Sequence, residues 1–175
     1  MAYNNNYSNG ERLPERTFKG IPGEMITWRC MEDNAGDGRF YNNGNRYFAI
    51  KLSDEEAEEL ETEGWPVVWR DVNAHNDDEP ELMKGYLKVF IKYGTRYPVD
   101  IYLVNTSNHT KTLLDEADLD LLHIDSKPLE SIDLLIRPYY WTYKEKSGVK
   151  AQVKAMNIIL AQDGLDDDYE IVYKD

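Results

Sequence analysis

The amino-acid sequence predicts a mostly β protein, an OB-fold-like antiparallel β-barrel with one or two short surface helices. Three observations carry that expectation. Short segments in which apolar and polar residues alternate recur along the 175 residues, and period two is the pattern of half-buried strands. Turn-forming runs such as Asn42-Asn43-Gly44 and Gly94-Thr95-Arg96 separate these segments, with glycine and asparagine accepting the positive φ that tight turns need. Strong helix punctuation surrounds only one segment, the one after Ser53. A chain of this length buries roughly two thirds of its unfolded surface around one core, and the 41% of hydrophobic residues is enough to fill it.

Residues 1–22 show no periodicity and are rich in Asn, Ser, Gly and Pro, which reads as a flexible arm. Residues 23–162 read as the folded domain. Met25 to Met31 is a strand with Ile26, Trp28 and Cys30 on one side. Arg39 to Tyr41 and Asn45 to Leu52 form a hairpin about Asn42-Asn43-Gly44, with Phe48, Ile50 and Leu52 alternating with Tyr47, Ala49 and Lys51. Ser53 and Glu56 make a capping box, the first turn is acidic, and Gly64 can close the end, so Asp54 to Glu63 is a helix whose thin apolar face is Ala57 and Leu60. An extended piece follows at Trp65 to Arg70, then an acidic loop through Pro80. Tyr86 to Tyr93 and Val99 to Val104 read as a second hairpin, with Leu87, Val89 and Ile91 inward. Leu113 to Leu122 is a short acidic helix or turn. Ser131 to Tyr143 and Val149 to Ala161 are long strands joined across Lys144 to Gly148. A helix inserted between strand groups of a small barrel is what an OB-fold contains.

The net charge of -13 argues by itself against nucleic acid, but its distribution reverses the argument. Segments 54–63, 71–81, 115–125 and 163–175 hold 23 of the 33 acids with Lys174 as their only Lys or Arg, leaving 10 acidic and 19 basic residues, net +9, elsewhere. Acid sits on connections and on the tail 163–175; base sits on strands. The single Cys30 can form neither an internal disulfide nor a cysteine-based zinc site. No apolar run reaches the length of a bilayer span, and Met1 to Gly10 lacks the basic and apolar regions of a signal peptide. The expectation is a soluble protein of a reducing cytoplasm.

Catalytic signatures are weak. His75, His109 and His123 are scattered over loops without i, i+4 pairing, and no phosphate loop, nucleophile elbow or zinc-protease motif occurs. Asp77-Asp78-Glu79 and Asp166-Asp167-Asp168 read as solvated charge runs rather than metal sites. The reading is therefore a protein without enzymatic activity, cofactor or metal. The positive signal is rings interleaved with cations on strands. In the segment 86–92, Tyr86, Lys88, Phe90 and Lys92 share the face opposite the aliphatic residues. The last hairpin repeats this with Arg137, Tyr139, Tyr140 and Trp141 across from Lys150, Gln152 and Lys154, and the first adds Arg39, Tyr41, Arg46, Tyr47 and Lys51. Single-stranded nucleic acid suits such a surface, because bases stack on rings whatever the sequence while ammonium and guanidinium groups follow the phosphates. An RNA-binding OB or cold-shock-like module would use the same chemistry. A protein-interaction or virion structural module would bury the same rings between subunits, and a metal-dependent nuclease would degrade the strand.

Five segments carry a resemblance. Gly44-Asn45-Arg46-Tyr47-Phe48-Ala49-Ile50, Gly64-Trp65-Pro66-Val67, Tyr86-Leu87-Lys88-Val89, Ile132-Asp133-Leu134-Leu135-Ile136-Arg137-Pro138-Tyr139-Tyr140-Trp141 and Lys146-Ser147-Gly148-Val149-Lys150-Ala151 resemble, in that order, bacteriophage-encoded single-stranded DNA-binding proteins of OB-fold type. The resemblance covers roughly residues 39–161. It implies a barrel that coats single-stranded DNA in phage replication or recombination, in the cytoplasm of an infected bacterial host. It further implies that an acidic tail, here Asp166, Asp167 and Asp168 onward, docks replication or recombination partners. The chain departs from the bacterial proteins in lacking their closing Pro-Phe.

Overall fold

The computed structural model of the protein describes residues 12–32 and 45–161. The expected strand at Arg39 to Tyr41, the Asn42-Asn43-Gly44 turn and the acidic tail lie outside the described residues. Among the described residues there are nine strands: β1 (Arg16–Pro22), β2 (Ile26–Cys30), β3 (Arg46–Lys51), β4 (Val67–Asp71), β5 (Met83–Ile91), β6 (Asp100–Asn105), β7 (Thr110–Leu114), β8 (Leu129–Tyr143) and β9 (Lys146–Leu160). Two helices accompany them, α1 (Asp54–Glu63) and α2 (Glu116–Leu121). The strands form one sheet in the order β1-β8-β9-β5-β3-β2, with β4 added to β5 and the pair β6–β7 added to β9. It curls strongly into a half-barrel, the mostly β, OB-like architecture that the sequence predicts.

Alternation decides what the sheet buries. Phe48 and Ile50 of β3, Leu87, Val89 and Ile91 of β5, Ile132, Leu134 and Ile136 of β8, and Ala151, Val153, Met156 and Ile158 of β9 fill the concave side. The β9 set changes parity between Val153 and Met156 because Leu135 pairs Ala155 while Ile136 pairs Val153, so Lys154 is bulged out of the ladder. Helix α1 forms as its punctuation predicts. The Ser53 hydroxyl accepts from Glu56 N at 3.2 Å, and Gly64 ends the helix at φ 116°, in the left-handed region that favours glycine. Its Ala57 and Leu60 are fully buried against the barrel.

Three expectations need correction. The segment Arg16–Pro22 is not part of an arm: it pairs antiparallel with β8 and buries Phe18 and Ile21. Its alternation is broken by an irregularity between Phe18 and Ile21 that includes Gly20 at φ 61°, which hides the strand from a period-two reading. The strands β5 and β6 are not a hairpin. Both run parallel to β9, Val89 and Phe90 opposite Ala151 and Gln152, then Asp100 to Val104 opposite Ala155 to Ile159. The chain between them arches off the sheet, and β6 takes β7 as its hairpin partner. Strand β7 buries only Leu114 and so carries no alternation to read. Finally, Trp28 does not share a side with Ile26: the β2–β3 register shifts between Thr27 and Cys30, and Trp28 adopts φ 49° and turns outward.

Candidate nucleic-acid interface

The sheet register assembles the outward residues of five strands into one row. Cys30 of β2 pairs Tyr47 of β3, Tyr47 pairs Phe90 of β5, Phe90 pairs Gln152 of β9, and Gln152 pairs Arg137 of β8. Paired residues share a face; this one is opposite the core, since the neighbours Phe48, Val89, Ala151 and Ile136 all point inward. One pleat along, Lys88 lies opposite Ala49 and Lys150 opposite Tyr139. Residues far apart in sequence thus become a contiguous strip.

Its centre is Phe90. The Tyr47 ring meets it at 6.0 Å in a tilted arrangement. The Lys150 ammonium stands 4.8 Å and the Lys88 ammonium 5.3 Å from the Phe90 ring, with Lys88 also 3.9 Å from the Tyr47 ring. Each such cation–π contact is worth about 0.5–1 kcal/mol at an exposed site, which fixes the ammonium groups beside the rings without neutralising them. Burial, followed by the neighbouring Cys30, raises the Tyr47 hydroxyl above its ordinary pKa and keeps it neutral. At one end of the strip Trp28 stacks on Tyr86 with centroids 4.6 Å apart and planes 21° from parallel. Trp28 is 41% exposed and Tyr86 beneath it only 8%. The pair opens on a concavity of about 610 Å³ that Tyr47, Arg70 and Lys88 also line. At the other end Tyr139 is 47% exposed. The Trp141 ring packs against Gly148, where a Cβ would come within 2.7 Å of it.

Other expected residues go elsewhere. Arg46 has the parity of Phe48 and Ile50 and is buried on the core side, where it donates to Asp120 at 2.6 Å, to Glu116 at 3.3 Å and to the Met31 carbonyl at 2.9 Å. Burial alone would lower its pKa; hydrogen bonds and charge from Asp120, with the charge of Glu116, hold it above the ordinary value. The strip therefore lacks this cation. Tyr140 points to the face opposite Tyr139, and its hydroxyl accepts from Leu13 N at 2.6 Å. Lys92 donates to Asn45 Oδ1 at 2.9 Å, and Lys154 pairs with Glu15 at 2.7 Å. Lys51, by contrast, pairs with Tyr86 and so keeps to the strip's face at its Tyr86 end. Arg39, Tyr41, Asp166, Asp167 and Asp168 lie outside the described residues. Trp28 was missed because nothing in the alternation signals the shifted register that exposes it.

The acidic helices stay on the other side. Ala57 of α1 approaches the core-facing Gly85, and α2 buries Leu119 and holds Arg46 from the core side. Among the described residues no group of three or more His, Cys, Asp or Glu is placed to hold a metal ion, and no helix is long and apolar enough to cross a membrane.

A protein-family model described as "Putative phage ssDNA-binding domain" matches residues 16–174. No curated protein matches the sequence. Among solved structures, the single-stranded DNA-binding protein of bacteriophage Enc34 in complex with ssDNA is similar at 10% identity and a TM-score of 0.42, over 85% of this chain and 88% of that one. A C-terminal truncation of the Enc34 protein gives 9% identity and a TM-score of 0.41, over 85% and 87%. The bacteriophage T7 single-stranded DNA-binding protein gp2.5 gives 11% and 0.39, over 87% and 96%.

Proposed function

The chain belongs to the phage ssDNA-binding domain family, and from that premise we propose that it binds single-stranded DNA along the outward strip from Trp28 and Tyr86, across Tyr47, Phe90, Lys88 and Lys150, to Arg137 and Tyr139. Single-stranded DNA binding follows from the family; the strip is our reading of where it happens. Bases stack on Phe90 and the flanking rings, and Lys88 and Lys150 meet the phosphates. The observation that carries it is the register Tyr47–Phe90–Gln152–Arg137, which gathers rings and cations on one face. Stacking tolerates any base, since every base has a π-face. On this reading the protein coats the strand in phage replication or recombination, in the cytoplasm of the infected host. The acids at 163–175 serve as a docking segment for protein partners.

Titrating oligo-dT at several salt concentrations tests the site. Each phosphate contact on a single strand contributes about 0.7 to the slope of log affinity against log salt, so replacing Lys88 and Lys150 together by Ala lowers the slope by about 1.4. An unchanged slope places the strand elsewhere. Parallel titration with oligo-U measures any RNA preference.

A further inference from the structure

A second groove adjoins the strip. It has a volume of about 590 Å³, and its lining includes Arg12, Tyr97, Arg137, Tyr139, Gln152 and Lys154 together with the acids Glu15 and Asp100. Arg137 and Gln152 also belong to the central row, so the groove adjoins the strip at these two residues rather than lying apart from it.

Two features are built for a ligand. The first is Tyr97, on the chain between β5 and β6. Arg137 donates to the carbonyls of Pro98 and Tyr97 at 3.3 and 3.2 Å, and the Thr95 hydroxyl donates to the Tyr97 carbonyl at 2.7 Å. Three hydrogen bonds thus hold the backbone of residues 97 and 98, while Tyr97 itself is 56% exposed. The Arg137 guanidinium stands 5.0 Å from that ring. A loop whose backbone is held, with its ring left open to water, has already lost part of the freedom that stacking on a base would otherwise cost. The second feature is an occupied anion position. The Glu15 carboxylate lies 2.7 Å from Lys154 Nζ, both side chains being about half-exposed, and Lys154 faces this groove because the β9 bulge re-aims it. Residues 12–15 are held there by the Leu13 N to Tyr140 hydroxyl bond and by the Arg12 guanidinium 4.7 Å over the Tyr140 ring.

We propose that this groove is a second subsite for the strand, in which one nucleotide beyond the central row stacks its base on Tyr97 and sets its phosphate on Lys154 in place of the Glu15 carboxylate. The subsite rests on the reading of the central strip as the DNA path. Residues 12–15 then have a double role: Arg12 adds a cation to the groove wall, and Glu15 is an internal anion that the phosphate must displace. An exposed ion pair of this kind is weak and screened by salt, so displacement is easy and the competition is felt most at low ionic strength.

Oligo-dT of about four and about twelve nucleotides, within the range that one OB-fold accommodates, separates the subsite from the strip. The four-mer fills the central row, and only the twelve-mer reaches Tyr97. In the full chain, Tyr97→Ala is expected to weaken the twelve-mer by about tenfold, as loss of one stacking platform does, and to leave the four-mer and the melting temperature unchanged. Glu15→Gln is expected to tighten the twelve-mer about two- to fivefold at low salt, the strength of an exposed ion pair. Unchanged twelve-mer affinity in both variants, or equal weakening of both lengths by Tyr97→Ala, overturns the subsite while the strip stands. Failure of the unaltered protein to bind either length overturns the strip and the subsite together.

Discussion

Arg46 and Lys88 lie on adjacent antiparallel strands, and the pleat alone separates their roles. Arg46 shares parity with Phe48 and is enclosed among Asp120, Glu116 and the Met31 carbonyl, whereas Lys88 shares parity with Phe90 and stands over the partly buried Tyr47 and Phe90 rings of the outward face. Arg46 is therefore a structural cation that ties β3 to α2. Replacing it by Met removes a hydrogen-bond donor from the buried Met31 carbonyl and two partners from half-exposed acids, so Arg46→Met is expected to cost about 1–3 kcal/mol of stability. DNA affinity per folded molecule stays unchanged. Thermal melting and oligo-dT titration of this variant check both halves; a loss of affinity at full stability contradicts the assignment. The same comparison shows why an arginine in a strand cannot be assigned from its charge. The parity of residues 46, 48 and 50 was legible and decides the matter, but a cation on a core face is credible only once the acids of α2, some 70 residues away, are seen to meet it.

At the scale of elements, what the sequence showed depended on whether the signal was local. Helix α1 was legible to the residue, because capping at Ser53 and termination at Gly64 are decided within a few neighbours. The β8–β9 hairpin was legible for the same reason, its long strands joined by a short polar turn. The fate of β5 and β6 was not, since a sequence that suits an antiparallel hairpin also suits two strands lying end to end along a third, and only β9 decides between them. Trp28 and Lys154 were misplaced by bulges, which invert alternation at one residue and leave no mark in composition. One close approach between elements gives a direct test of the packing. Gly85 of β5 faces α1 where a Cβ would lie 2.5 Å from the Ala57 Cβ and 3.2 Å from Val67 Cγ1. Gly85→Ala therefore pushes α1 off the sheet and is expected to cost about 1–3 kcal/mol, the usual penalty of overpacking. That corresponds to a fall in melting temperature of about 2–4 °C for each kcal/mol in a chain of this size. An unchanged melting temperature means that α1 does not seat on β5 as described.

For the whole molecule, a net charge of -13 and a role in coating a polyanion are compatible because the acidic helices and the strip of rings and lysines occupy different surfaces. The acids of α1 and α2 ride on elements that pack against the core side, and the rings with their lysines occupy the outward face. Long-range repulsion from the acidic side is screened within about 10 Å at 0.1 M salt, whereas contacts made on the strip itself act at a few ångströms. Affinity consequently resides in local stacking and phosphate contacts, and Phe90 sits where both meet, with Tyr47, Lys88 and Lys150 around its ring. The measurement that bears most directly on this account is the affinity of Phe90→Ala for oligo-dT at one fixed salt concentration, taken beside its melting curve. Loss of a stacking platform is worth about 1–3 kcal/mol, so binding is expected to weaken roughly ten- to a hundredfold while the position of Phe90 outside the core keeps the fold intact. Wild-type affinity in a folded Phe90→Ala protein would contradict the account, because the strand would then pass over some other face.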